Sequence, residues 1–168
     1  MIHYGFNKVV LGPVLEKVLP MLFNWRNNPE LYQYFRQYRP LTMEEHVQWF
    51  RGLHRNDSVR MFVAGHGDAI IGVCGLTSID RVNSRAELSC YVIPEHQNLE
   101  DDVINTLIRY AFDHENLNSV YAEVFETNVK KLEILDKRNP QSKVYLPHRY
   151  WRMKSFIGSH LYTFLRTL

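Results

Sequence analysis

The chain has 168 residues, of which 45% are hydrophobic and 23% charged, a length and balance that suit one soluble globular domain with a packed core. No apolar run approaches the roughly 20 residues of a membrane span, and Met1–Lys8 lacks the basic-then-apolar order of a signal peptide. The net charge of +2 hides three blocks: residues 1–85 hold 10 basic and 7 acidic side chains, residues 86–136 hold 3 and 11, and residues 137–168 hold 7 and none.

In chain order, Lys8-Val9-Val10-Leu11 ends a first strand, which Gly12-Pro13 breaks. Val14, Leu15, Val18, Leu19, Leu22 and Phe23 recur at helical spacing, and Pro20 predicts a break or kink among them. Thr42-Met43-Glu44-Glu45 is a capping box that opens a helix with Val47, Phe50 and Leu53 on one face. Met61–Ala64 and Ala69–Leu76 are strands joined by the turn Gly65–Asp68, and Arg85–Ile93 is a third strand ending at Pro94. Val103, Ile104, Leu107, Ile108 and Ala111 mark a helix with a strong apolar stripe. Val120–Phe125 alternates as a strand, Lys130–Lys137 is a short helix stopped by Asn139-Pro140, and Lys143–Trp151 with Phe156–Leu165 form a final strand pair. The predicted order is β-α-α-β-β-β-α-β-α-β-β, a mixed sheet covered by helices. Cys74 and Cys90 lie inside apolar strands and read as buried free thiols, which suits a reducing cytoplasmic setting. No Cys/His cluster has zinc spacing, so no metal is expected.

Certain words in this order resemble the GNAT superfamily of acyl-CoA-dependent N-acyltransferases. They are Trp25-Arg26-Asn27, Arg39-Pro40-Leu41-Thr42 with Glu45-His46 and Trp49-Phe50, Ile71–Leu76, Ala86–Ser89 leading to Val92–Gln97, and Asn128 opening the short helix. The branch they look most like holds the ribosomal-protein amino-terminal and amino-sugar N-acetyltransferases. The resemblance spans nearly the whole chain and implies one domain over residues 1–168. It implies an α/β fold whose mixed, mostly antiparallel sheet has about seven strands, flanked by about four helices. It also implies acetyl-CoA, bound where the strand Arg85–Ile93 splays from Val120–Phe125, with the pyrophosphate on the loop opening the next helix. Tyr91, Val92, Gln97, Asn98 and Asn128 are the expected cofactor contacts. Glycines in that loop would bring backbone N–H groups to the phosphates, where the helix dipole favours negative charge.

Glu87 is the expected general base on its strand, and its alternative is an ordinary carboxylate with a hydrogen-bonded partner. His46 and His96 are further candidate bases, or surface and capping residues. Trp25, Arg26, Arg36, Tyr38 and Arg39 gather on the helix pair that forms one wall of the acceptor site in the family. They would hold an anionic or sugar-nucleotide acceptor; alternatively Trp25 is core and the arginines are solvated or pair with Glu30 and Glu44. The expected acceptor is a small-molecule amine or a protein amino terminus, attacked directly, with the oxyanion held by backbone N–H groups of the Glu87 strand.

The chain departs from the family pattern at two places. The phosphate loop reads Gln97-Asn98-Leu99-Glu100-Asp101-Asp102, with carboxylates that favour the helix dipole and repel a polyanion. The family's general-acid tyrosine falls on Leu135, and Tyr145 or Tyr110 is the possible replacement. These departures define an alternative: a non-catalytic GNAT-fold binding or structural subunit of a larger assembly, such as a viral one, that binds no acetyl-CoA and partners a protein or itself. The basic, aromatic carboxy-terminal segment is a solvated strand face, a nucleic-acid surface, or a partner for the acidic middle of another copy. Of these, nucleic acid is the disfavoured reading.

Overall fold

The computed structural model describes residues 3–166. Its strands are β1 (Tyr4–Phe6), β2 (Val9–Pro13), β3 (Arg60–His66), β4 (Ala69–Asp80), β5 (Arg85–Val92), β6 (Ser119–Phe125), β7 (Ser142–Arg152) and β8 (Ser155–Leu165). Its helices are α1 (Leu19–Arg26), α2 (Pro29–Tyr32), α3 (Met43–Leu53), α4 (Glu100–Asp113) and α5 (Val129–Asp136). One eight-stranded sheet runs in the order β1-β2-β3-β4-β5-β6-β8-β7. Every neighbouring pair is antiparallel except β5 with β6.

The expected mixed α/β architecture is therefore present, with one more strand and one more helix than the sequence pattern suggests. The additions are β1 and α2, of 3 and 4 residues, too short for periodicity to register. Asn28 starts α2 by accepting a hydrogen bond from the Glu30 N–H at 3.0 Å. Gly12 and Pro13 do not break the first strand; both belong to β2, where Pro13 stands opposite Phe62 at the strand end and its missing N–H is tolerated. Pro20 does not kink a helix either. It is the second residue of α1, where no N–H partner is needed. The Thr42 capping box forms as predicted: Glu45 N–H donates to Thr42 Oγ1 at 3.2 Å and Thr42 N–H to Glu45 Oε2 at 2.9 Å.

Each face of the sheet carries its own core. On one face, Val103, Ile104, Leu107 and Ala111 of α4 pack against Leu11, Phe62, Cys74 and Val92, joined by Leu135 of α5. On the other, Leu19 and Leu22 of α1 meet Val63 and Val73, with Trp25, Trp49 and Phe50 around them. Two-residue alternation along β5 sends Leu88, Cys90 and Val92 to the α4 face and Tyr91 to the other. Gly72 makes room for β5, because a Cβ there would strike the Tyr91 carbonyl and the Val92 Cα. Leu107 is fully buried at the centre of the α4 stripe. Replacing it with alanine should lower unfolding free energy by about 2–5 kcal/mol in a urea titration.

Candidate active site

The parallel pairing of β5 with β6 lasts only from Arg85–Ser119 to Glu87–Tyr121. Beyond it β5 stays with β4 as far as Val92, while β6 follows β8 as far as Phe125. The two strands diverge, and their facing edges border a cleft of about 990 Å³. The cleft is completed by the start of α4, the start of α5 and the segment 31–37 after α1. Of the expected cofactor contacts, Tyr91, Val92, Gln97 and Asn128 line it, as do Glu87, Arg26 and Arg36.

Glu87 stands where the strands part and is 8% exposed. Arg36 grips both its carboxylate oxygens, with Nη1 3.0 Å from Oε2. The same guanidinium reaches Glu123 Oε2 at 3.2 Å, and Glu123 Oε1 also accepts from Arg149 Nε at 3.2 Å and Ser159 Oγ at 2.7 Å. The hydrogen bond to Glu87 raises the Arg36 pKa, against the opposing effect of burial. Arg36 thus ties the segment after α2 to β5 and β6, and its guanidinium partners are carboxylates of this chain.

The cofactor half differs from the arrangement that the sequence suggests. Asn98 is exposed in the 3₁₀ turn Pro94–Leu99, outside the cleft lining, and does not cap α4. The cap position is Leu99, and no side chain closes the helix start. Glu100 does not project toward an incoming phosphate. Its carboxylate is turned inward, 3.0 Å from Lys131 Nζ, with side-chain exposures of 5% and 17%. Lys131 also donates to the Cys90 carbonyl on the open edge of β5. Burial pulls the Lys131 pKa down, yet Glu100 and Cys90 outweigh it and leave the ammonium raised. Asp101 pairs with Arg138, and Lys130 Nζ donates to Gln97 Oε1 at 2.9 Å. Of the three carboxylates read as a source of repulsion, Glu100 and Asp101 are matched by cations, whereas Asp102 makes no ion pair among the described residues. The uncapped α4 start, these cations and the unpaired strand edges fit an anionic, amide-bearing acyl carrier such as acetyl-CoA.

The remaining residues expected on an acceptor wall scatter. Trp25, on α1, is partly buried and packs against the core on that face of the sheet. Tyr38 is exposed, edge-on to Tyr32 at 5.8 Å. Arg39 pairs with Glu45 rather than Glu44, and together with the Thr42 backbone it holds the Glu45 carboxyl down at about 2. Neither Tyr145 nor Tyr110 lines the cleft. The Tyr145 hydroxyl donates to Glu126 at 2.8 Å and the Tyr110 hydroxyl to Glu115 at 2.7 Å. Leu135 is buried in the cleft wall. His96 is outside the lining, whereas His46 is in it and 4% exposed. Among the described residues no group of three or more His, Cys, Asp or Glu could hold a metal ion, and no helix is long and apolar enough to cross a membrane.

Sequence reasoning passed over Lys131 and Glu123. A signal for Lys131 existed: Lys130 and Lys131 occupy the first turn of α5, where cations oppose the helix dipole. Such a placement calls for an anionic partner, and Glu100 is that partner. Lys131→Met should cost about 3–5 kcal/mol in a urea titration by stranding Glu100, and Glu100→Gln added to it should restore most of the loss. Burial lowers the His46 pKa from 6.5. The unfolded chain therefore binds more protons, and stability present above pH ~6.5 is lost as pH falls through the folded pKa. His46→Gln should flatten that part of the stability–pH curve.

The comparisons with known proteins agree with this geometry. The sequence profile of the acetyltransferase (GNAT) domain matches residues 8–138. The acetyltransferase PseH of Campylobacter jejuni is 27% identical over 121 residues, covering 72% of this chain and 75% of that protein. The spermidine N(1)-acetyltransferase of Vibrio cholerae is 25% identical over 122 residues, covering 71% and 70%. The solved structure of spermidine N-acetyltransferase from Vibrio cholerae with CoA and spermine superposes with a TM-score of 0.89. It is 20% identical, with 94% of this chain and 95% of that one covered. A sheet that opens between β5 and β6, backed by the profile match over most of the chain, places this protein in the GNAT acetyltransferase family.

Proposed function

We propose that this protein transfers the acetyl group of acetyl-CoA to the amine of a small molecule by direct attack. The observation that carries the reading is the cleft itself, in which Glu87 stands at the point of strand divergence with a bidentate arginine fixing its orientation. When bound, acetyl-CoA supplies an activated thioester. The β5 edge, Gln97, Asn128 and the uncapped start of α4 would hold it. Glu87 keeps lone pairs free beyond the two that Arg36 takes, and with them it removes the amine proton directly or through a water. Backbone N–H groups on the open edge of β5 steady the oxyanion. Lys131 is the cation that faces the same edge, where Leu135 offers no proton. The non-catalytic alternative draws no support from the relatives named above. A cytoplasmic location is part of this proposal.

Calorimetric titration with acetyl-CoA should give binding in the micromolar range. Release of free CoA thiol should then depend on an added amine. Glu87→Gln should lower kcat by roughly 10²–10⁴-fold with acetyl-CoA affinity unchanged. A Glu87→Gln protein that turns over at the original rate contradicts the assignment of the base. No binding at millimolar acetyl-CoA contradicts the whole reading.

A further inference from the structure

Arg36 holds its guanidinium between Glu87 of β5 and Glu123 of β6. It does so from residues 33–42, between α2 and α3, which belong to neither a helix nor a strand. Keeping an irregular loop in one conformation costs backbone entropy, so contacts from other elements must hold it. Three consecutive carbonyls of this loop are held, each by an arginine from elsewhere in the fold.

Arg152, the last residue of β7, donates through Nη2 to the Arg36 carbonyl at 2.7 Å and to the Phe35 carbonyl at 3.2 Å. The first of these contacts joins residues 116 positions apart. The Gln37 carbonyl accepts from Nη2 of Arg26, at the end of α1, at 3.1 Å. Arg152 is itself fixed. Its guanidinium lies over the rings of Phe125 at 5.1 Å, Tyr38 at 5.3 Å and Tyr150 at 5.6 Å, and Nη1 donates to the Trp151 carbonyl at 2.7 Å. Ring faces attract a cation. Phe125 is buried and lines the cleft, so the clamp is seated on the core.

Arg152 lies outside the cleft lining, so it acts on the site only through the loop it holds. The Arg36 carbonyl fixes where the Arg36 backbone stands, and with it the reach of the side chain to Glu87. The two carboxylates depend on that reach unequally. Glu123 also accepts from Arg149 and Ser159 and stays in place without Arg36. The Glu87 carboxylate has Arg36 as its one hydrogen-bond donor among the described residues. A displaced Arg36 therefore frees Glu87, the proposed base, and leaves Glu123 where it is.

We propose that Arg152 is a positioning residue: it fixes the backbone at Arg36 and, through Arg36, the orientation of Glu87. This rests on Glu87 acting in acetyl transfer, so the test has an arm that needs no turnover. In protein labelled with ¹⁵N-arginine, the Arg36 guanidinium is assigned from the signals lost in Arg36→Lys. It should give separate, slowly exchanging Nη–H signals in the wild type. They should collapse in Arg152→Met, whose stem still covers the rings, and persist in Arg152→Lys, whose ammonium still reaches a carbonyl. Persistence in Arg152→Met overturns the proposal. If Arg152→Met does not fold, Arg152→Gln, too short for either carbonyl, takes its place with the same readouts. In the activity arm, release of CoA thiol from acetyl-CoA is followed with whichever of spermidine, glucosamine and glycylglycine is acetylated fastest. Arg152→Met should lower kcat about tenfold, the loss of one hydrogen bond to a charged group, with KM for acetyl-CoA unchanged. Arg152→Lys should recover most of the loss. An unchanged kcat, or an equal rise in KM for acetyl-CoA, overturns the proposal. If the Arg36 signals respond as expected but no amine is acetylated, the clamp on Arg36 stands and the acetyl-transfer reading falls.

Discussion

The site depends on the separation of two parallel strands after three residue pairs. A sheet is stable because each interior strand pairs on both sides, so an interior gap leaves backbone groups without partners. Here β4 and β8 carry β5 and β6 apart, each antiparallel pairing continuing where the parallel one stops. Arg36 links the two strands through its side chain, holding Glu87 of β5 and Glu123 of β6, and Lys131 of α5 donates to the Cys90 carbonyl on the open edge of β5. The other open edges are where an extended amide-bearing molecule can complete the ladder. The cores on either face keep the gap from closing: α4 fills one side and α1 with α3 the other.

Charge follows the same logic. The acidic middle and the basic carboxy-terminal segment are complementary within one chain. Arg138 meets Asp101, Lys143 meets Asp136 and Arg149 meets Glu123. Much of the basic face that sequence alone leaves open to nucleic acid or a second copy is thereby engaged internally. Within the cleft, Glu100 at the start of α4 is buried against Lys131, and no side chain caps the helix.

Much of the fold was legible in the sequence because its signals are local. The Thr42 capping box, the α4 stripe and the turn at Gly67 are written in neighbouring residues. The misreadings at Gly12-Pro13 and Pro20 come from proline's two roles. It ends some elements, but it is equally at home at a strand end or in a first helical turn, and only pairing decides which. The candidate site was legible as a set of positions on β5 and at the starts of α4 and α5. The partners of its charged groups were not. Glu87 finds Arg36 across 51 positions, and Lys131 finds Glu100 from a different helix. No short-range pattern encodes such pairs, since each depends on where the sheet brings separate elements together.

Hydrogen exchange of the backbone amides, with and without acetyl-CoA, tests the account most directly because it reads the open strand edges themselves. The account predicts slower exchange at residues 88–92 of β5, at 122–125 of β6 and in the first turn of α4. It predicts no change in the β1–β2 hairpin. Unchanged exchange along both cleft strands at saturating acetyl-CoA would contradict it.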